Sequence, residues 1–189
     1  MSFQLPTSQK LGGFENALRL VTARFGLGPV NIVETGTIRV GADLHSDGGS
    51  TRYWKIWSEN TGSQVWTVDI DEKNISACKS IIGAGAGINY VIEDSKSFLA
   101  NFDKKIHLLF LDAMDCQPPI EDTWNHQLQE VKNAIPKLAD GAIILIDDYN
   151  GIDRIVESKS MYSHPYLLEN GFKIIYEGDH QIIFSKQGE

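Results

Sequence analysis

The side chains best suited to chemistry in this sequence are carboxylates that directly follow apolar, β-branched segments. Such acids are Asp69, Asp94, Asp112 and the pair Asp147 and Asp148. A carboxylate at the end of a strand can accept hydrogen bonds, hold a cation, or take a proton from a reacting group. Each acid alone is also explained as a helix cap or a turn residue. Their repetition after successive strands favours a binding site.

Alternating strand-like and helix-like segments would place these acids along one edge of a sheet. After an N-terminal helical stretch at about 8–24, strands are predicted at PVNIVET, QVWTVDI, INYVI, IHLLFL and AIILI. The segments between them have helical spacing, including EDTWNHQLQEVKNAIPKL. This alternation predicts right-handed crossovers and a parallel sheet covered by helices on both faces. Ligands of such sheets bind beyond the carboxyl ends of the strands, where the acids lie.

The C-terminal part of the chain predicts a change of strand direction. FKIIYE and QIIFSK have strand composition and are separated by Gly178, Asp179 and His180, a hairpin signal. The hairpin would add one antiparallel strand to the parallel sheet. Between AIILI and this hairpin we expect a helical region that reaches about Glu169.

The end of the first strand carries the segment ETGT at 34–37, followed by a polar loop and by GGST at 48–51. Glycine lets the backbone approach a ligand closely, and free N–H groups at a helix start can hold an anion. The simpler alternative is a strand-to-helix turn capped by Ser50 or Thr51. The pattern is not the GxGxxG of a standard dinucleotide site.

The ends of the second and third strands suit a nucleoside. Asp69 could accept two hydrogen bonds from a ribose diol and its apolar neighbour could cover a purine ring, whereas Asp71 suffices as the helix cap. Asp94 is placed to accept a hydrogen bond from an exocyclic amine. Ser95 is an equally good candidate for a helix cap.

Composition and charge exclude several classes of function. The chain has 189 residues, 42% of them hydrophobic, and a formal net charge of −8, which disfavours nucleic acid as a partner. No apolar stretch is long enough for a membrane span, the N-terminus does not resemble a signal peptide, and Cys78 and Cys116 form no motif. We expect a cytoplasmic protein with a single domain over 1–189. The oligomeric state stays open, a homo-oligomer included.

The succession of strand-end motifs resembles the class I S-adenosylmethionine-dependent methyltransferases, from about residue 31 to residue 184. It is most similar to their small-molecule O-methyltransferases of the sugar and catechol type, whose first motif has the form E-x-G-T…G-G-S-T. The resemblance implies a Rossmann-like α/β fold: a mostly parallel, seven-stranded sheet with helices on both faces and a C-terminal antiparallel β-hairpin. It would divide the chain into an N-terminal helical cap at 1–28 and a cofactor-binding α/β core at 29–186.

The same resemblance implies a set of cofactor-binding residues. These are Glu34, Gly36, Gly49 and Ser50 for the methionine end, Asp69 for the ribose, Ile70 for the adenine face, Asp94 and Ser95 for the adenine amine, and Asp112. One departure from the family pattern is the segment 38–47, which separates ETGT from GGST. This segment is either a lid over the reaction centre or a tolerated surface insertion.

Asp112, Asp147 and Asp148 would also meet at the ends of two neighbouring strands. Three bare carboxylates repel one another, so either one is protonated or a hard cation neutralises them. We therefore predict a site for magnesium, although many relatives work without metal and DDYN can simply start a helix. The catalytic residues would be Asp112 and Asp115, with Asp115 or a nearby histidine taking the proton from the acceptor.

These features predict transfer of a methyl group from S-adenosylmethionine to a hydroxyl of a small-molecule acceptor, with a nitrogen of the acceptor as the alternative. A nicotinamide-dependent oxidoreductase on a similar sheet is the alternative enzyme, and the missing GxGxxG argues against it. The non-enzymatic alternative is a cofactor-binding module that serves a protein partner. The identity of the acceptor does not follow from the fold.

Overall fold

The computed structural model describes residues 5–45, 49–83, 85 and 87–186. Within them six α-helices and seven strands are numbered in chain order. The helices are α1 (Leu11–Phe25), α2 (Thr51–Thr61), α3 (Glu72–Ile82), α4 (Ser95–Asn101), α5 (Ile120–Ala134) and α6 (Ser163–Glu169), and 3-10 turns cover Ile135–Lys137 and Ile152–Glu157. The strands are β1 (Asn31–Thr35), β2 (Gln64–Asp69), β3 (Ile88–Ile92), β4 (Ile106–Leu111), β5 (Leu138–Ile146), β6 (Lys173–Gly178) and β7 (Gln181–Ser185).

All seven strands form one sheet in the order β3-β2-β1-β4-β5-β7-β6. Strands β1 to β5 are mutually parallel, and β7 runs antiparallel to both of its neighbours. The predicted fold class, a mostly parallel seven-stranded α/β sheet with a C-terminal antiparallel hairpin, is therefore confirmed. From β1 the chain adds β2 and β3 on one side of the sheet, and then β4 and β5 on the other side. The crossovers on the two sides therefore leave a crevice beyond the carboxyl ends of β1 and β4.

The hairpin turn between β6 and β7 forms at the predicted residues. Asp179 and His180 both have positive φ, 54° and 57°, as a two-residue turn of type I′ requires. The carbonyl of His180 accepts a hydrogen bond from Tyr149 N at 2.8 Å. The turn is thereby tied to the residues that follow β5.

The sheet is buried on both faces, which explains why β4 reads as an uninterrupted apolar run. Leu108 and Phe110 point to one face and join a cluster with Phe14 of α1 and Trp54 of α2. Leu109 and Leu111 point to the other face, where α4, α5 and α6 cover the sheet. Helix α1 thus packs directly on the sheet that carries the site.

One predicted boundary was wrong, for an identifiable reason. Helix α5 ends at Ala134 instead of continuing to Leu138, because Pro136 has no N–H to continue the helical ladder; a 3-10 turn follows and β5 begins at Leu138. The region after β5 is helical as predicted and reaches Glu169, in two pieces: a 3-10 turn and then α6. Among the helices that the described residues form, none has the length and apolarity required to cross a membrane.

Candidate functional site

A pocket with a volume of about 480 Å³ lies beyond the carboxyl ends of the parallel strands. Most of the predicted cofactor-binding residues line it, namely Gly36, Asp69, Ile70, Asp94, Ser95 and Asp112. The predicted catalytic residue Asp115 lines it as well. Residues 46–48, which include Asp47 and the first glycine of the GGST motif, lie outside the described residues. The segment 38–47, predicted to be either a lid or a surface insertion, is consequently described only to residue 45.

Gly36 lets the ends of β1 and β4 approach each other closely. Its φ is +80°, and a Cβ at this position would lie 2.5 Å from the carbonyl oxygen of Asp112. Any side chain would therefore collide with backbone, not with a movable group. This close approach places Asp112 in the wall of the pocket.

Glu34 lies behind the pocket, fully buried, and does not line it. Its carboxylate accepts hydrogen bonds from Thr51 Oγ1 at 2.7 Å, Trp54 Nε1 at 2.9 Å, Thr67 Oγ1 at 2.6 Å and Ser50 Oγ. Burial raises its pKa to about 7 in spite of these four donors. Glu34 thus joins the end of β1 to β2 and to the start of α2.

The other two residues predicted for the methionine end also lie outside the pocket wall. Ser50 occupies the N-cap position of α2, but its hydroxyl bonds to Glu34 and not to the helix backbone. Gly49, with a φ of +53°, precedes it next to the side chain of Arg52. The structure gives these residues a supporting position, and their predicted contacts with a cofactor stay predictions.

Asp69 is held in place at the end of β2. Its Oδ1 accepts a hydrogen bond from Asp71 N at 2.8 Å, and Asn74 Nδ2 lies 3.4 Å from Oδ2. Asp71 caps α3 as predicted, with its own side chain accepting from Lys73 N. The side chain of Ile70 is 72% exposed beside this carboxylate, so an apolar surface and a hydrogen-bond acceptor lie next to each other.

Asp94 rather than Ser95 caps α4. Its Oδ1 accepts from Ser97 N at 3.0 Å, and Lys96 Nζ lies 3.4 Å from its Oδ2. Burial opposes ionisation, but the Ser97 bond and the Lys96 charge outweigh it and lower the pKa of Asp94. The Ser95 hydroxyl is left to contact His126 Nε2 at 3.0 Å.

Two lysines contact the three carboxylates for which we predicted a metal. Lys159, only 1% exposed, places Nζ 2.6 Å from Asp112 Oδ1 and 2.9 Å from Asp148 Oδ2. Lys10, from the segment before α1, places Nζ 2.6 Å from Asp147 Oδ2 and 3.3 Å from Asp148 Oδ1. The predicted convergence of the acids is therefore present, with two ammonium groups among them.

The protonation of this cluster follows from its burial and its charges. Burial disfavours the charged form of Lys159, but Asp112 and Asp148 outweigh it and raise its pKa. Burial also opposes ionisation of Asp148, yet the two ammonium groups lower its pKa to about 2. For Asp147, burial and repulsion by Asp112 prevail over Lys10 and raise the pKa to about 7.

The predicted magnesium site is not supported. Over the residues that the structure describes, no group of three or more His, Cys, Asp or Glu side chains is arranged to hold a metal ion. The carboxylate oxygens that would be ligands already face lysine ammonium groups, and Asp147 Oδ1 accepts from Gln181 Nε2 at 3.2 Å. Because the negative charge is already compensated, this donor set does not fit a divalent cation.

Three residues that line the pocket were not predicted from the sequence: Arg39, Asn74 and His126. Arg39 Nη1 pairs with the predicted catalytic residue Asp115 at 2.7 Å. Asn74 could have been found from its place in the first turn of α3, close to Asp69.

Residues 45–149 match the family model described as a methyltransferase domain. The match covers more than half of the chain and includes the ends of β2, β3, β4 and β5. The chain belongs to this family of methyltransferase domains. The resemblance to class I S-adenosylmethionine-dependent methyltransferases is thereby confirmed. No protein among the curated sequences matches the chain.

Solved structures share the fold of this methyltransferase domain at low sequence identity. The O-methyltransferase NovP has a TM-score of 0.68 at 13% identity, over 95% of this chain and 80% of that one. The O-methyltransferase from Bacillus cereus in complex with SAH gives 0.59 at 14%, over 100% and 84%. The N-methyltransferase NodS from Bradyrhizobium japonicum WM9 gives 0.60 at 12%, over 95% and 97%.

The raised pKa of Glu34 predicts a specific pH dependence of stability. The folded protein keeps this proton up to a pH of about 7, whereas the unfolded chain releases it near the ordinary value of 4.5. The free energy of unfolding therefore falls between these two pH values as the pH rises. We expect the difference in stability between wild type and Glu34→Gln to shrink across this range, by at most on the order of 3 kcal/mol.

Urea unfolding of both proteins at pH 5 and pH 8 measures this difference. Glu169→Gln, a change at an exposed position on α6, is the matched control and should give the same small difference at both pH values. An equal penalty for Glu34→Gln at pH 5 and pH 8 would contradict the assignment.

Lys159→Met is expected to destabilise the protein because it leaves Asp112 and Asp148 without their shared cation. Both carboxylates are partly exposed, at 29% and 39%, so the loss should be smaller than for a fully buried pair. We expect the free energy of unfolding to fall by roughly 2–3 kcal/mol. Lys104→Met, which removes the exposed pair with Asp103, should cost less than about 0.5 kcal/mol.

The same cluster predicts that the wild type is insensitive to chelators. Thermal unfolding and cofactor binding should be unchanged in excess EDTA and after magnesium is added back. A magnesium-dependent rise in the melting temperature of the wild type would show that the lysines do not occupy the cation position.

Proposed function

We propose that this methyltransferase domain transfers a methyl group from S-adenosylmethionine to a hydroxyl group of a small molecule. The observation that carries the proposal is the placement of Asp69 and Asp94 at the ends of the adjacent strands β2 and β3, in one pocket with Asp112. Asp69 offers an acceptor for the ribose hydroxyls, Ile70 an apolar surface for the base, and Asp94 an acceptor for its amine. The residues present thus suit each part of an adenosine group.

S-adenosylmethionine supplies an electrophilic methyl group when it is bound. The protein then has to hold the acceptor in line and remove its proton. Asp112 is fixed by Lys159 through Oδ1 and faces the pocket, which suits it to orient the acceptor by a hydrogen bond. We assign the proton transfer to Asp115, which lies in the pocket wall beside Arg39.

A hydroxyl acceptor is favoured by these carboxylates, because an alcohol must lose its proton during transfer whereas a neutral amine can react through its lone pair. NovP and the Bacillus cereus enzyme are O-methyltransferases, while NodS is an N-methyltransferase, so the fold serves both kinds of acceptor. Membership in the methyltransferase-domain family leaves no support for the oxidoreductase alternative. A cofactor-binding protein without turnover is the alternative that the experiments below address.

Asp69→Ala should weaken the binding of S-adenosylhomocysteine by roughly 30- to 150-fold, because a two-pronged, charge-assisted hydrogen bond is lost. Isothermal titration calorimetry measures this change directly. Asp71→Ala is the matched control. It removes the N-cap of α3, the helix that follows Asp69, and should lower the stability of the protein with little effect on its affinity for S-adenosylhomocysteine. Unchanged affinity in Asp69→Ala would exclude Asp69 from the cofactor site.

Asp115→Asn should lower the rate of methyl transfer by about 100- to 10,000-fold while the dissociation constant of S-adenosylhomocysteine stays the same. Single-turnover assays with labelled S-adenosylmethionine and a panel of small alcohols, phenols and amines provide the measurement. Asp103→Asn, at the exposed pair with Lys104, serves as the control. Turnover of amines alone would contradict the hydroxyl assignment, and binding without any turnover would favour the non-catalytic alternative.

A further inference from the structure

Glu130 is a buried carboxylate without a hydrogen bond. It lies on α5 with 0% exposure, and neither of its oxygens accepts a hydrogen bond from the described residues. One helical turn earlier, His126 Nε2 lies 3.4 Å from Glu130 Oε1, within ion-pair range. Burying an isolated carboxylate is unfavourable in free energy. The role of its neighbour His126 therefore requires an explanation.

His126 connects this carboxylate to the pocket. Its Nε2 lies 3.0 Å from the hydroxyl oxygen of Ser95, and both residues line the pocket next to Asp94. A row of three side chains therefore runs from the interior of α5, through His126, to the start of α4. Its outer member is Ser95.

The chemistry of the inner member sets the direction of the hydrogen bonds. A carboxylate only accepts, and a lone pair on His126 Nε2 facing Glu130 across 3.4 Å would be repelled. With Glu130 as a carboxylate, Nε2 carries a hydrogen, and that nitrogen then has no lone pair to offer to Ser95. The Ser95 oxygen can only accept from His126, which leaves its own hydrogen free to point elsewhere.

We propose that Glu130 and His126 are positioning residues that direct the Ser95 hydroxyl into the pocket as a hydrogen-bond donor to the base of the cofactor. This inference rests on the proposed function. With Asp94 as the acceptor and Ser95 as the donor, the pocket offers the complement of the adenine edge, which carries an amino donor beside the acceptor N1. Hypoxanthine carries an oxygen and an N1–H at these positions, so the pair discriminates between the two bases.

The test is the ratio of affinities for S-adenosylhomocysteine and its hypoxanthine analogue, S-inosylhomocysteine. Calorimetry on the wild type, Ser95→Ala, Glu130→Met and the double variant measures this ratio. Each single variant should bind S-adenosylhomocysteine about 3- to 10-fold more weakly and lose part of the discrimination. Because Glu130 acts through Ser95, the double variant should bind S-adenosylhomocysteine no more weakly than the single variant with the lower affinity.

Stability separates this role from a structural one. Glu130→Met replaces a buried carboxylate that accepts no hydrogen bond with an apolar side chain of similar size, so we expect its melting temperature to be no lower than that of the wild type. Gln127→Met is the matched control, because Gln127 is equally buried on α5 but bonds to Ser163 and not to the pocket. It should leave the ratio of affinities unchanged.

Two results would overturn the proposal. One is an unchanged ratio in Glu130→Met, and the other is a double variant whose losses equal the product of the two single losses. A wild type that binds neither ligand would overturn the proposed function and this inference with it. Normal binding of S-adenosylhomocysteine with unaltered ratios would overturn this inference alone.

Discussion

The pairing of two lysines with three carboxylates at the ends of β4 and β5 is the interaction on which the site depends. Parallel strands that end side by side bring their terminal acids together, about 4.8 Å from strand to strand. Asp112, Asp147 and Asp148 could not remain so close without compensating charge. Lys159 and Lys10 supply this positive charge, and Lys10 also connects the start of α1 to the carboxyl end of β5.

A second buried network, centred on Glu34, joins the elements that lie behind the pocket. Glu34 accepts hydrogen bonds from β2 and α2, so its carboxylate holds three elements together where Gly36 needs a close approach to Asp112. The resemblance to the E-x-G-T motif implied that Glu34 belongs to the cofactor site. In the structure its carboxylate lies behind the pocket and bonds to β2 and α2, and its contact with a cofactor stays a prediction.

The elements that the sequence predicted well are those whose signal is local. The apolar run of β4, the turn at Asp179 and His180, and the acids after each strand are properties of a few consecutive residues, so pattern and composition suffice to find them. The premature end of α5 was also readable, since Pro136 stands in the segment. Lys159 and Lys10 are 47 and 137 residues away from their partners Asp112 and Asp147, and no local pattern marks them.

The acids of the site and the lysines that neutralise them are positioned in different ways. An acid at a strand end is placed by the strand itself, whereas the group that neutralises it here comes from another part of the chain. Here two ammonium groups occupy the position for which the acids alone predicted magnesium. The solved structures at 12–14% identity share the fold of this domain. In this domain the lysines that face the acids, and not the acids alone, make the donor set unsuited to a divalent cation.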